Sequence, residues 1–191
     1  MKIAIFAAVP EEVAYLSNKV NFTGIGRENA THAALTFIDK YRDEDFLVLN
    51  VGTVGSHTFP VGTILSISEI TSAGKQFYQQ PMLLDRFETA CMESLPTTTL
   101  FSSDSFVSPH IYTANCLEDL KCKAHCFDME SSALYSIMKH YKKQYVSFKI
   151  VSDQLDVTLD VWYQRVATLS VQLADFLQKL FTELGDVEFL T

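Results

Sequence analysis

Apolar positions along the chain keep two rhythms, and the rhythms alternate. Residues 2–8 form an apolar, β-branched run that predicts a buried strand. Pro10 can open a short helix, with Glu11 and Glu12 in its first turn. Residues 22–25 are short and extended and run into Thr23-Gly24-Ile25-Gly26. Residues 28–41 keep helical spacing, with Ala30, Ala33, Ala34, Phe37 and Ile38 on one face. A continuous apolar strand is expected over 46–51, ending in a turn or loop at Gly52-Thr53-Val54-Gly55-Ser56. Another strand is expected over 61–70, opened by Pro60 and Gly62. Between 71 and 99 the periodicity is weak and predicts no clear element. Residues 124–127 read as a short strand, 131–141 as a helix and 145–151 as a strand. A long helix over 157–184 carries Leu169, Leu173, Phe176, Leu177, Leu180 and Phe181 on one stripe, enough to pack along a whole sheet. Strand and helix signals that alternate in this way predict an α/β fold.

Composition narrows the picture. The chain has 191 residues, 48% of them hydrophobic and 20% charged, which suits one domain over 1–191 with a sizeable core. A net charge of −8 and a pI of about 5.0 argue against nucleic acid or an anionic membrane as a partner. The longest basic cluster, Lys139-His140-Tyr141-Lys142-Lys143, reads as a helix end, where cations suit the dipole. The apolar start is too short to span a bilayer. Pro10-Glu11-Glu12 follows too soon for an ordinary signal peptide, so a cytoplasmic protein is expected. Cys116, Cys122 and Cys126 cluster beside His125, but with five and three intervening residues their spacing is wider than zinc pairs keep. Buried free thiols are the expectation there, and no metal.

Acidic residues then draw attention to strand ends. Asp128 and Glu130 stand where a strand hands over to a helix, Asp153 ends the following strand, and Glu12 lies one turn after the first. Each alone is explained by the preference of helix starts for negative charge. Likewise Gly52-Thr53-Val54-Gly55-Ser56 and Thr23-Gly24-Ile25-Gly26 alone are turns as readily as ligand loops. Neither is a P-loop or a dinucleotide fingerprint. Together they say more. If the strands are parallel, three acids, two glycine segments and the loop carrying Phe106 share one edge of the sheet. Crowded carboxylates repel, so at least one should hold its proton near neutral pH and serve as a general acid. Two acids flanking a glycosidic bond can hydrolyse it. Of the pair at the helix start, Glu130 is expected to face the site and Asp128 to point away, toward backbone or solvent.

In order, these segments resemble the nucleoside phosphorylase and nucleosidase superfamily, most of all the methylthioadenosine/S-adenosylhomocysteine nucleosidases. The motifs are Met1-Lys2-Ile3-Ala4-Ile5 through Glu11-Glu12-Val13, Thr23-Gly24-Ile25-Gly26, Asn50-Val51-Gly52-Thr53-Val54-Gly55, Ser102-Ser103-Asp104-Ser105-Phe106-Val107, Asp128-Met129-Glu130-Ser131-Ser132-Ala133 and Val151-Ser152-Asp153. The resemblance implies a three-layer αβα fold around a central mixed, partly barrel-like sheet. It implies a homodimer that acts on a purine nucleoside without cofactor or metal. By the same resemblance Asp153, helped by Ser152, protonates N7 of the purine, and Glu12 is the base for the attacking water, with Thr53 beside that water. Glu130 holds the ribose hydroxyls, Met129 packs on the sugar, Phe106 stacks on the base and the Val107 backbone reads its edge.

Related phosphorylases carry an arginine where this chain has Asn50, and Glu12 would repel a phosphate dianion, so hydrolysis is favoured over phosphorolysis. The chain departs from its relatives at Lys149, where arginine is common, at Ser103 in place of a glycine, and at Ser56-His57. It also departs over 71–99, which is shorter and lacks the usual His-Asp element. A futalosine hydrolase, a purine nucleoside phosphorylase and a noncatalytic nucleoside-binding homologue stay open as alternatives.

Overall fold

A computed structural model of the chain describes residues 1–73, 75–78 and 95–191. The strands are β1 (Lys2–Ala7), β2 (Val20–Phe22), β3 (Leu47–Ser56), β4 (Ile64–Ser72), β5 (Lys75–Tyr78), β6 (Thr97–Ser102), β7 (Cys126–Asp128), β8 (Gln144–Asp153) and β9 (Glu188–Phe189). The helices are α1 (Arg27–Tyr41), α2 (Ala114–Lys121), α3 (Ser131–His140) and α4 (Leu159–Leu184). Two 3₁₀ turns, Pro10–Glu12 and Ala14–Lys19, follow β1.

Every second side chain of β1, β3 and β8 faces the same layer, and both faces are covered by helices. Ile3, Ile5, Leu47, Leu49, Val146, Phe148 and Ile150 pack against the stripe of α4, in which Leu173, Leu177 and Leu180 are fully buried. On the other face, Phe6, Val48, Tyr145 and Val151 meet Ala30, Ala34, Phe37 and Ile38 of α1 and Leu134 and Met138 of α3. Strands buried on both faces lose the polar alternation of a half-exposed sheet, which is why they read as unbroken apolar runs. The result is three layers, αβα, around a mixed sheet.

Strands β3, β7, β6, β4 and β8 pair in turn and close into a five-membered ring. The expectation of parallel strands holds for β1–β3, β3–β8, β4–β6 and β6–β7, but β3–β7 and β4–β8 are antiparallel. The acids therefore do not share one edge. The ends of β1, β3 and β8 meet the ends of β6 and β7 across the ring.

Strand β3 makes this possible by changing partner. It pairs with β1 over Leu47–Asn50 and with β7 only at Gly55 and Ser56, while β8 follows its other edge throughout. Between these two stretches, the first edge has no strand partner among the described residues. The expected turn or loop at Gly52-Thr53-Val54-Gly55-Ser56 is thus the second half of β3, with a register shift at Val54/Gly55. The other expected elements occur with ends moved by one to three residues. Helix α2 and strand β9, which continues the sheet beside β1, have no counterpart in the sequence reading. Within 71–99, β4 runs on to Ser72, β5 forms a hairpin with it and β6 begins at Thr97. Most of the rest of 71–99, and Cys91 with it, lies outside the described residues.

Candidate active site

Glu12 is carried by the 3₁₀ turn after β1 and is buried. Its carboxylate enters the gap along β3. Oε1 accepts from the Thr53 backbone N–H at 2.7 Å and from the Thr53 hydroxyl at 2.8 Å. Oε2 accepts from the N–H of Ala8 at 3.0 Å and of Val9 at 3.4 Å. The strand hydrogen bond that Thr53 lacks is made by a side chain instead. Gly52 is obligatory beside it. Its φ is +142°, and a Cβ there would lie 2.8 Å from Glu12 Oε1.

Asp153 ends β8 and is also buried. Oδ1 accepts from the Leu155 N–H at 2.9 Å, and Oδ2 lies 2.7 Å from the Ser152 hydroxyl, which is itself 3.1 Å from the Val54 carbonyl. A hydroxyl has one proton, so Ser152 can donate to only one of these acceptors. Both contacts are satisfied when Asp153 is protonated at Oδ2 and donates to Ser152, while Ser152 donates to Val54. Burial, the largest influence, pushes the Asp153 carboxyl above its ordinary range; Ser152, when it donates to the carboxylate, and the Leu155 N–H oppose it. Gly55 leaves the room this needs, since a Cβ there would lie 3.0 Å from Asp153 Oδ1 and 2.7 Å from Leu155 Cδ2.

Glu130 stands at the start of α3. Oε1 accepts from the Gly26 N–H at 2.6 Å. Gly24 and Gly26, at φ +79° and +95°, turn the backbone toward this carboxylate, so the glycine segment before α1 serves both as a turn and as a close approach. Burial first, then the charge of Asp128, push the Glu130 carboxyl up to about 8, against the Gly26 hydrogen bond and Lys149. Crowded acids do hold protons here, but desolvation is the larger cause and repulsion the smaller.

Asp128 requires a correction. It does not point to solvent: its side chain is 1% exposed and forms a buried ion pair with Lys149 at 3.2 Å. It also accepts from the Ser131 N–H at the start of α3 and from the Ser131 hydroxyl. Asn50 ties the group together, donating to Ser131 Oγ at 2.8 Å and to Tyr145 at 2.7 Å, and accepting from Lys149 at 3.3 Å. Thus Asp128 plays the helix-start role and is held by Lys149, although it borders the cavity together with Glu130. Asn50 and Lys149 stand out in the sequence only by comparison with relatives, and their partnership with Asp128 and Tyr145 escapes a motif reading because isolated polar residues in apolar strands carry no spacing signal.

One cavity collects these groups. Glu12, Thr53, Glu130, Ser152 and Asp153 line it, as do Phe106, Val107 and Met129, so every residue expected at a site borders the same space. Phe106 and Val107 come from the loop after β6. The outer wall adds Leu155, Leu159 and Trp162, which the motifs did not indicate. Trp162 is the only tryptophan in the chain, and its indole N–H donates to Thr53 Oγ at 3.1 Å. No lysine, arginine or histidine lines the cavity among the described residues. Chemically the arrangement offers a buried acceptor carboxylate, a second carboxyl that favours its proton, a third near its titration point, and apolar surface fit for a flat ring. Cys116 and Cys122 are exposed and Cys126 is buried in β7, all as free thiols away from this cavity.

Solved structures share the fold at low identity. A futalosine hydrolase from Helicobacter pylori strain 26695 superposes with a TM-score of 0.80 at 16% identity, over 94% of this chain and 97% of that one. A 5′-methylthioadenosine/S-adenosylhomocysteine nucleosidase from S. pneumoniae, bound to a transition-state inhibitor, gives 0.81 at 15%, over 97% and 100%. A nucleosidase of the same name from Colwellia psychrerythraea, bound to adenine, gives 0.79 at 17%, over 100% and 98%. A search among curated proteins returns no match. The model of the phosphorylase superfamily matches residues 20–183, from β2 to the last turn of α4. With the strands that form the ring and Asp128, Glu130 and Asp153 of the cavity inside that match, the chain belongs to the phosphorylase superfamily.

Proposed function

We propose that the protein is a purine nucleosidase that hydrolyses the N-glycosidic bond of methylthioadenosine, S-adenosylhomocysteine or a related adenine nucleoside. The observation that carries this reading is the pair of unlike carboxyls, Glu12 and Asp153, on one cavity. Four donors surround Glu12, whereas Asp153 is hydrogen-bonded in a way that suits a proton. Asp153 gives that proton to N7 of the purine and Ser152 holds the carboxyl in place. The bond from C1′ to N9 breaks, and the base leaves with the electron pair. Glu12 takes a proton from the water that attacks C1′, with the Thr53 hydroxyl beside it. The transition state resembles an oxocarbenium ion, which buried carboxylates stabilise. Glu130 holds the ribose hydroxyls, Met129 packs on the sugar, Phe106 stacks on the base and the Val107 backbone meets its edge.

Water rather than phosphate as the nucleophile is supported by the uncharged and acidic lining. A phosphate dianion would need cationic donors, and none lines the cavity among the described residues. A solved futalosine hydrolase matches as well as the nucleosidases do, so futalosine belongs among the substrates tried. The test is base release from methylthioadenosine, adenosylhomocysteine, adenosine, inosine and futalosine, with and without phosphate. Release independent of phosphate is expected. Release only with phosphate would make it a phosphorylase, and none from any nucleoside would sink the enzymatic reading. A homodimer is part of the proposal, supported by Leu159 and Tyr163, apolar side chains 43% and 40% exposed on the first turns of α4. Sedimentation at a monomer's mass would contradict it. A cytoplasmic setting suits the two exposed free thiols, and cell fractionation would test it. No helix among the described residues is long and apolar enough to cross a membrane.

A further inference from the structure

We infer that Trp162 is a positioning residue for Glu12, acting through the hydroxyl of Thr53. The inference rests on the nucleosidase reading for its catalytic consequence, but its geometry stands apart from it. An indole N–H can only donate. Trp162 Nε1 lies 3.1 Å from Thr53 Oγ, so that oxygen must accept there. The hydroxyl proton of Thr53 is then directed to its other neighbour, Glu12 Oε1, at 2.8 Å. Free to rotate, a threonine hydroxyl could turn its proton elsewhere and present a lone pair to the carboxylate. With the Trp162 N–H on one lone pair, the orientation that satisfies both neighbours is the one that points the proton at Glu12.

All three groups are buried, with 6%, 8% and 3% of Trp162, Thr53 and Glu12 exposed. The remaining contacts of Glu12 are three backbone N–H groups, from Ala8, Val9 and Thr53. Thr53 Oγ is therefore the one side-chain donor to Glu12 among the described residues, and Trp162 sets its direction from α4. The indole also packs with Val157 and Val166, which fixes its own position. A helix on the outer layer thereby orients a carboxylate that belongs to the turn after β1.

Two measurements test this. The first is a double-mutant cycle on base release with Trp162→Phe and Thr53→Val. Trp162→Phe keeps a buried ring but removes the N–H, and should lower kcat about 10-fold, the effect of one buried hydrogen bond, with KM little changed. In the Thr53→Val background the same change should cost less than about 2-fold, because the acceptor is already gone. Full activity in Trp162→Phe, or an equal loss in both backgrounds, would overturn the inference. The second measurement needs no turnover. The single indole N–H gives one resonance in a ¹⁵N-labelled sample. Slow solvent exchange in the wild type and faster exchange in Thr53→Val are expected, and an exchange rate unchanged by Thr53→Val would overturn the inference. An inactive wild type would remove the nucleosidase reading alone, and the exchange experiment would still decide the role of Trp162.

Discussion

At the scale of single residues, Glu12, Glu130 and Asp153 are all buried but are hydrogen-bonded unequally. Asp153 and Glu130 are both pushed toward their neutral forms, mainly by desolvation. Glu12 sits instead among four donors. If Asp153 delivers the proton to the base, Asp153→Asn should lower kcat by about 10²- to 10⁴-fold, the usual contribution of a general acid. Its unfolding midpoint should stay close to wild type, since an amide can replace a neutral carboxyl at the Leu155 and Ser152 contacts. Turnover within a factor of a few of wild type would refute the assignment. Glu130 yields a prediction about stability. The folded chain keeps this proton up to about 8, whereas the unfolded chain releases it near 4.5. Its stabilising contribution is therefore fully present below about 4.5 and is lost as pH rises through about 8. Urea titrations from pH 5 to 8.5 should show wild type losing stability, on the order of a few kcal/mol, and Glu130→Gln losing less. Equal slopes would show that Glu130 titrates normally.

At the scale of elements, the two rhythms in the chain map onto structure with uneven fidelity. Helix α4 was legible because its stripe repeats over 26 residues. Leu173 lies on that stripe, fully buried against β1, β3 and β8. Leu173→Ala should cost about 2–5 kcal/mol in urea unfolding, and a cost below about 1 kcal/mol would mean the helix relaxes over the cavity. Helix α2 was not legible: only Leu117 and Leu120 are buried within its eight residues, too few to set a period. Strand β9 has two residues and exists because β1 offers it an edge. The glycines of β3 were misleading for a different reason. Gly52 and Gly55 look like turn residues, yet they lie in a continuous strand and make room for Glu12 and for Asp153 and Leu155. Glycine in a strand marks close approach as readily as a turn, and only the neighbours distinguish the two.

At the scale of the whole molecule, a buried network ties the ring to the site. Lys149 of β8 reaches across β3 to Asp128 of β7, with Asn50 of β3 beneath both. Lys149→Met should strand the Asp128 carboxylate and destabilise the fold by about 3–5 kcal/mol, whereas adding Asp128→Asn should recover much of that loss. Chemical denaturation of both variants would check this, and a single variant as stable as wild type would show that the pair contributes nothing. Much about this protein followed from sequence alone. Unbroken apolar runs alternating with helically spaced stripes set the α/β class, because a strand buried on both faces is apolar throughout and a helix buried on one face repeats its apolar residues at helical spacing. The ordered motifs indicated the family and eight of the residues that border the cavity. Only the tertiary structure decided the rest. It closed β3, β7, β6, β4 and β8 into a ring, set two pairings antiparallel, paired Asp128 with Lys149, and brought Trp162 to Thr53. Those outcomes depend on contacts between residues far apart in the chain. Local pattern sets which face of an element is buried, but not which distant partner it is buried against.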